Sequence, residues 1–373
     1  MIQTENLIIG AGPAGLAIAG RLSKRGVSFE VLERTDKVSW SWHNHYDRLC
    51  LHTVKELSHL PYLPFPEDYP RYVPRQQFAE YCESYARHFS IVPRFNQEVS
   101  SIIKKGDGWL VKTESGSEYR AKKVIVATGV NRIPFSPVWP GQSDFLGVIE
   151  HSRRYKNPLP YLNKRVLVIG MGNTGAEVAL DLAEHGVPVY LSVRSAVNIV
   201  PRDINGRPTQ LTAKALAKLP FGFGDWLGTQ IRKVVVGDLS RYGLKTATVS
   251  PIKQLRETGK TPVIDLGTVS KIKDGSIQVI PDIDHFVPEG IVCENGDTYE
   301  VDHVLLATGY RAQVEDFLEN TDGLLDKYGV PANSIGEGEF EGLYFVGFDN
   351  YKLGGILGTI DSDSLTIANH IAS

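Results

Sequence analysis

Two glycine-rich turns, each set between an apolar run and a helical pattern, constrain this chain more than anything else in it. Gly10-Ala11-Gly12-Pro13-Ala14-Gly15 follows Leu7-Ile8-Ile9, and Gly170-Met171-Gly172-Asn173-Thr174-Gly175 follows Val166-Leu167-Val168-Ile169. Behind each turn, Ala and Leu recur at helical spacing. Strand, G-x-G-x-x-G turn and helix form the dinucleotide-binding unit. Its first glycine makes the tight turn, its second lets the backbone approach a pyrophosphate, and its third lets helix and strand pack closely. The helix N-terminus then offers free N–H groups to the phosphates. One such motif is a weak signal. Two in strand–turn–helix context predict an α/β chain with two Rossmann-like domains and two nucleotide cofactors.

The end of the next strand separates the two cofactors. Ser28-Phe29-Glu30-Val31-Leu32 ends in Glu33, with Arg34 beside it. An acid there accepts ribose hydroxyls, suits FAD or NAD and repels a 2′-phosphate. In the second unit Val189-Tyr190-Leu191-Ser192-Val193 ends in Arg194, at almost the same distance from its glycines. A guanidinium there pairs with the 2′-phosphate of NADP; the alternative is an ordinary solvated arginine at a strand end.

Composition removes several classes. A chain of 373 residues with net charge -3 and no basic tract is not built for nucleic acid. The sequence Met1-Ile2-Gln3-Thr4-Glu5-Asn6 runs straight into a strand without a signal- or transit-peptide pattern. No apolar run reaches the ~18–20 residues that span a bilayer. The expectation is a cytoplasmic protein without membrane partners. Cys50, Cys82 and Cys293 form no C-x-x-C pair, which argues against a disulfide reductase, although those enzymes also carry two dinucleotide units. The histidines are scattered and no metal site is expected.

Along the chain, residues 36–80 are aromatic and aperiodic and are expected to lie over the first cofactor. A helix is predicted for Gln76–Phe89, strands near Glu98–Ile103, Trp109–Lys112 and Lys123–Ala127, and a hairpin turn at Gly106-Asp107-Gly108. Ala127-Thr128-Gly129 and Ala307-Thr308-Gly309 each end a buried strand, at the expected passages between domains. Thr128, Gly129, Ala307, Thr308 and Gly309 therefore join the candidate cofactor residues. The Pro-rich Asn157–Pro160 reads as a linker. Gly342–Gly347 reads as a strand returning to the first domain, with Gly347 at the cofactor and a helix from about Ile356 whose N-terminus could face a flavin carbonyl.

Between the two turns stands Phe145-Leu146-Gly147-Val148-Ile149-Glu150-His151-Ser152-Arg153-Arg154-Tyr155. It is a complete F-x-G-x-x-x-H-x-x-x-(Y/F/W) motif, and with both turns flanking it the chain resembles the class B flavin monooxygenases. Within them it is most similar to the plant YUCCA enzymes, the indole-3-pyruvate monooxygenases of auxin synthesis. The likeness covers nearly the whole chain and includes Tyr46-Asp47-Arg48-Leu49, Gln76-Gln77-Phe78, Val193-Arg194 and Gly259-Lys260-Thr261-Pro262-Val263-Ile264-Asp265. The last block is not required by cofactor binding. Many related enzymes carry Asn in a T-N-x-P-K context near the flavin. Here Leu51-His52-Thr53-Val54-Lys55 places His52 at that position, as YUCCA-like enzymes do, with Val54 in place of the proline. A packed histidine is the alternative.

The resemblance implies a glutathione-reductase-like FAD domain (residues 1–150 and 302–373) with an inserted NADPH domain (151–301). It implies reduction of FAD by NADPH, then reaction with O2 to a C4a-(hydro)peroxyflavin that attacks the ketone of an aromatic α-keto acid such as indole-3-pyruvate. Decarboxylation would leave indole-3-acetate. His52 and His151 are the catalytic candidates, although in the family the latter is thought to couple domains rather than move protons. Trp42 would pack beside the flavin, and Trp40 and Tyr46 would help exclude water or serve as plain core. Arg48 and Arg75 would face either the substrate carboxylate or the FAD pyrophosphate. Two other functions stay open: N- or S-oxygenation of amines or sulfides, and a non-catalytic flavoprotein redox sensor. Homodimers are common among related folds, and the remaining partners are a small-molecule substrate and O2.

Overall fold

In the computed structural model, which describes residues 1–216, 219, 222–349, 351 and 354–373, the chain divides into two compact units. The first comprises residues 1–44, 49–133 and 310–373; the second comprises 45–48 and 134–309.

The first unit is built on a six-stranded sheet. Glu30–Leu32, Ile2–Ile9, Glu118–Val126 and Leu343–Phe345 lie parallel, and Val99–Lys105 with Gly108–Thr113 adds an antiparallel meander to Glu118–Val126. The hairpin turn falls at Gly106-Asp107, between paired Lys105 and Gly108. Successive side chains of the parallel strands enter two cores. Ile8, Val31, Ile125 and Tyr344 face the helices Pro13–Lys24, Arg75–His88 and Gly355–Ala372. Leu7, Leu32, Val126 and Phe345 face Ile102, Trp109, Phe317 and Leu318. Burial on both faces explains the nearly unbroken apolar runs that marked these strands in the sequence.

The second unit holds a five-stranded, all-parallel sheet in the order Ile277–Ile280, Val189–Ser192, Val166–Ile169, His303–Leu306, Val148–His151. The helix Asn173–Glu184 packs on it, as does a small antiparallel sheet of Ile283–Val287, Gly290–Cys293 and Thr298–Glu300. Between Val189–Ser192 and Ile277–Ile280 the chain makes an excursion closed by Ile199–Pro201 pairing with Val263–Asp265. It contains the helices Thr209–Leu216, Phe223–Val236 and Pro251–Thr258.

The division departs from the expected boundaries at 150 and 302. Residues 134–150 and 302–309 belong to the second unit because Val148–His151 and His303–Leu306 pair with each other inside its sheet. The pairing is non-local, so no local pattern marks it. Among the described residues, no helix is long and apolar enough to cross a membrane. No disulfide joins the three cysteines; burial pushes the Cys82 thiol up to about 12, the opposite of a reactive thiolate.

Candidate functional site

The first glycine turn is fixed from several directions. Gly10 adopts φ +107°, its N–H donates to Leu32 O at 2.7 Å, and a Cβ there would lie 2.7 Å from Ala127 O. A Cβ on Gly15 would come within 1.8 Å of Gly10 O, so any side chain would force the helix off the turn. At Gly12, by contrast, a Cβ would meet nothing within 4 Å among the described residues. That open space lies where a pyrophosphate must approach. Pro13 starts the helix at a position needing no N–H partner, and Ala14 follows it; no side chain caps this end.

Glu33 is buried at the rim of this turn. Its Oε2 accepts Ala11 N–H at 2.8 Å, and its Oε1 accepts Thr35 N–H at 3.0 Å and the Thr35 hydroxyl at 2.7 Å. The carboxylate is thus oriented before any ribose arrives. Arg34 is exposed and lies 3.9 Å from Glu98. Thr128, next to Gly129, has a buried hydroxyl oxygen that meets no hydrogen-bond partner among the described residues. Such a group is costly unless something supplies one. Gly347 brings the last strand to the same place. Its N–H donates to Asp363 at 3.1 Å, and a Cβ would sit 3.5 Å from Ala14 Cβ and 2.9 Å from Ile360.

The second turn repeats this construction. Gly170 has φ +100°, donates to Ser192 O at 2.9 Å, and would clash with Ala307 O at 2.7 Å. Gly175 would clash with Gly170 O at 2.0 Å, and Gly172 again faces open space. Asn173 opens the helix and accepts Ile264 N–H at 2.7 Å, with half-buried Thr174 beside it. Ser192 is 1% exposed and donates to Pro281 O at 3.4 Å, so its contribution to the turn is its carbonyl. Arg194 is exposed past the strand end, and among the described residues it has no hydrogen-bond or ion-pair partner. The Thr308 hydroxyl, unlike that of Thr128, is already engaged, donating to Phe135 O at 2.5 Å.

Each named position of the Phe145–Tyr155 motif holds the second unit together. Phe145 meets Phe286 edge-on, and a Cβ on Gly147 would strike both Phe145 and Asp302 O. His151 is buried. Its Nε2 donates to Gly309 O at 3.0 Å while Nδ1 accepts Arg153 N–H at 3.1 Å, which fixes one neutral tautomer. Burial lowers its pKa further. It is therefore a positioning residue for the Ala307-Thr308-Gly309 turn. Tyr155, 1% exposed, donates to Asp181 at 2.7 Å; burial and that carboxylate together raise its pKa.

Arg48 departs from expectation. Residues 45–48 pack within the second unit, where the guanidinium lies 2.8 Å from Glu184 and 3.3 Å from Asp181. Burial works against its charge, but Glu184 and Asp181 outweigh it and raise the pKa. Two long-range carboxylates on the helix Asn173–Glu184 thus pair with the cation expected at the first cofactor or at substrate. Arg75 remains in the first unit and donates to His43 O at 3.0 Å.

His52 lies half-buried in the first unit, on a segment that meets the last helix: a Cβ on Gly355 would come within 3.2 Å of Thr53. Trp42 packs on Phe78 at 4.3 Å between ring centroids. The candidates thus gather in two sets. Gly10, Gly12, Gly15, Glu33, Thr128, Gly347, Trp42 and His52 share one unit; Gly170, Gly172, Gly175, Arg194, Gly309 and His151 share the other. Sequence reasoning missed Thr35, Asp363 and Asp181. Only Asp181 left a trace, an acid inside an otherwise apolar helical run.

These features fit two dinucleotides: open space at both middle glycines, a spare hydroxyl at Thr128, an oriented acid at one strand end and an unpaired cation at the other. The sequence matches the flavin-binding monooxygenase-like family over residues 5–326. It is 38% identical, over 98% of this chain and 87% of its relative, to the probable indole-3-pyruvate monooxygenase YUCCA7 of Arabidopsis thaliana. It is 39% identical, over 94% and 84%, to the indole-3-pyruvate monooxygenase YUCCA4 of Oryza sativa subsp. japonica. The fold matches a flavin-containing monooxygenase from Stenotrophomonas maltophilia with a TM-score of 0.76 at 18% identity, covering 100% of this chain and 98% of that one.

Proposed function

The chain belongs to the flavin-binding monooxygenase-like family and is a flavin-dependent monooxygenase; we propose that it uses FAD and NADPH to convert an aromatic α-keto acid of the indole-3-pyruvate type into the acid one carbon shorter. The observation that carries the substrate class is identity of 38–39%, over nearly the whole chain, to proteins named for that reaction. In balance, the keto acid, O2, NADPH and a proton give the shortened acid, CO2, NADP+ and water.

Glu33 would hold the ribose of FAD, with the N-terminus of Pro13–Lys24 toward its pyrophosphate. Arg194 would take the 2′-phosphate of NADPH, and the Gly172–Asn173 helix start its pyrophosphate. When bound, the flavin supplies the redox chemistry and the activation of oxygen. The protein orients and shields. Trp42, packed on Phe78, gives an apolar wall suited to excluding water, and His52, next to Thr53, would present a donor or acceptor near the last helix. His151 holds the second nucleotide turn without moving a proton.

The test is anaerobic reduction by NADPH followed by mixing with oxygenated buffer and indole-3-pyruvate, with products identified by mass. Indole-3-acetate formed in step with NADPH consumed is expected. Inert keto acids with oxygenated amines or sulfides would move the assignment to heteroatom oxygenation.

A further inference from the structure

The helix Phe223–Val236 carries a buried cation that no carboxylate among the described residues pairs with. Arg232 is 5% exposed. Its two Nη groups donate to Asn198 Oδ1 and to Ala247 O, the latter at 3.1 Å, and both acceptors are neutral. Its Nε is buried and meets no acceptor. Among the described residues no carboxylate pairs with it, whereas Arg48 in the same unit has two. A guanidinium removed from water and met only by neutral dipoles is a costly arrangement, which a counter-ion relieves.

A cavity of about 20 Å³ adjoins this group, lined by Arg232, Lys233 and Thr246 with apolar walls that include Ile199, Leu239 and Leu244. That volume admits one water-sized occupant. Two of the lining residues are cations and none is an acid. We propose that this cavity binds one small monovalent anion of chloride size, held chiefly by Arg232 with Lys233 at its wall.

The site is coupled to the second glycine turn through the backbone. Asn198 accepts from Arg232, and its own carbonyl accepts Val263 N–H at 2.8 Å. The next residue, Ile264, donates to Asn173 Oδ1 at 2.7 Å. An anion on Arg232 therefore steadies the strand pair Ile199–Pro201 and Val263–Asp265, against which Asn173 is anchored. The inference stands whichever substrate the enzyme takes.

Thermal melting of the full-length, flavin-loaded protein in potassium chloride and in potassium gluconate of equal ionic strength tests it. The midpoint should rise saturably in chloride and not in gluconate. Arg194→Ala should keep this response and Arg232→Met should lose it. If Arg232→Met does not fold, Lys233→Gln, at an exposed position, should shift saturation to several-fold higher chloride. Crystals grown in bromide should show an anomalous peak in the cavity. Equal midpoints in the two salts would overturn the proposal and leave water as the occupant. A halide effect with the bromide peak elsewhere would overturn it equally.

Discussion

The two glycine turns are nearly the same object built twice. In each, the first glycine donates to the end of the neighbouring strand and lies against the carbonyl of an Ala-Thr-Gly turn, the third lies against the carbonyl of the first, and the second faces open space. They part company at their rims. The first carries a carboxylate held by Ala11 and Thr35 and a hydroxyl, on Thr128, with nothing to bond. The second carries an exposed arginine, unpaired among the described residues, and a threonine whose hydroxyl is already committed to Phe135. Glycine geometry thus makes a generic cradle, and discrimination between cofactors resides in two or three side chains around it.

The sharpest way to break that comparison is to spoil one cradle at a time. Gly15→Ala should yield a nearly colourless protein, with flavin content down by at least about tenfold, since overpacking against backbone costs about 1–3 kcal/mol or more. Gly175→Ala should stay yellow but lose reduction by NADPH, followed as bleaching of the flavin under nitrogen. If both variants lose flavin equally, the turns are not independent. Next in size is Arg194→Ala. Loss of a charge-assisted contact of about 1.5–3 kcal/mol should raise the KM for NADPH by about ten- to a hundredfold and leave that for NADH unchanged. Equal changes for the two would remove Arg194 from the 2′-phosphate.

How much of this was legible beforehand follows from the range of the interactions. The glycines, Glu33 and Arg194 are fixed by spacing within one strand–turn–helix unit, and their elements lie where the sequence predicts. So does the helix Arg75–His88, displaced by one residue at each end from its expected bounds. Arg48 could not be read, because its partners Asp181 and Glu184 lie more than a hundred residues away. Asp363, which holds Gly347, sits in a run of Asp and Ser that resembles any exposed helix end. The excursion closed by Ile199–Pro201 and Val263–Asp265 obeys no motif, and its Gly259–Asp265 block stood out only through resemblance.

Finer cuts separate the two threonines. Thr308→Val should destabilise the protein by about 0.5–1.5 kcal/mol with or without cofactor, because it deletes an existing hydrogen bond. Thr128→Val should leave the stability of the flavin-free chain intact and weaken flavin binding a few-fold, measured by fluorescence titration. The smallest effect is on pH. Burial holds His151 and His303 of the second unit below the ordinary value of about 6.5. The folded chain then binds fewer protons than the unfolded one, so this contribution is full above about pH 6.5 and drains away as pH falls. Replacing both with Gln should flatten the acid side of a melting-temperature profile; an unchanged slope would assign it to other groups.

The interleaving of the two units has a consequence in time. Everything the second unit needs has been translated by residue 309, whereas the first unit lacks Leu343–Phe345, Gly347 and the helix Gly355–Ala372 until the 64 residues 310–373 are made. At ~5–20 residues per second that lag is roughly 3–13 seconds. On the ribosome the unit begun second is the one finished first, and the turn at Gly10–Gly15 receives its last wall only from residues 343–372.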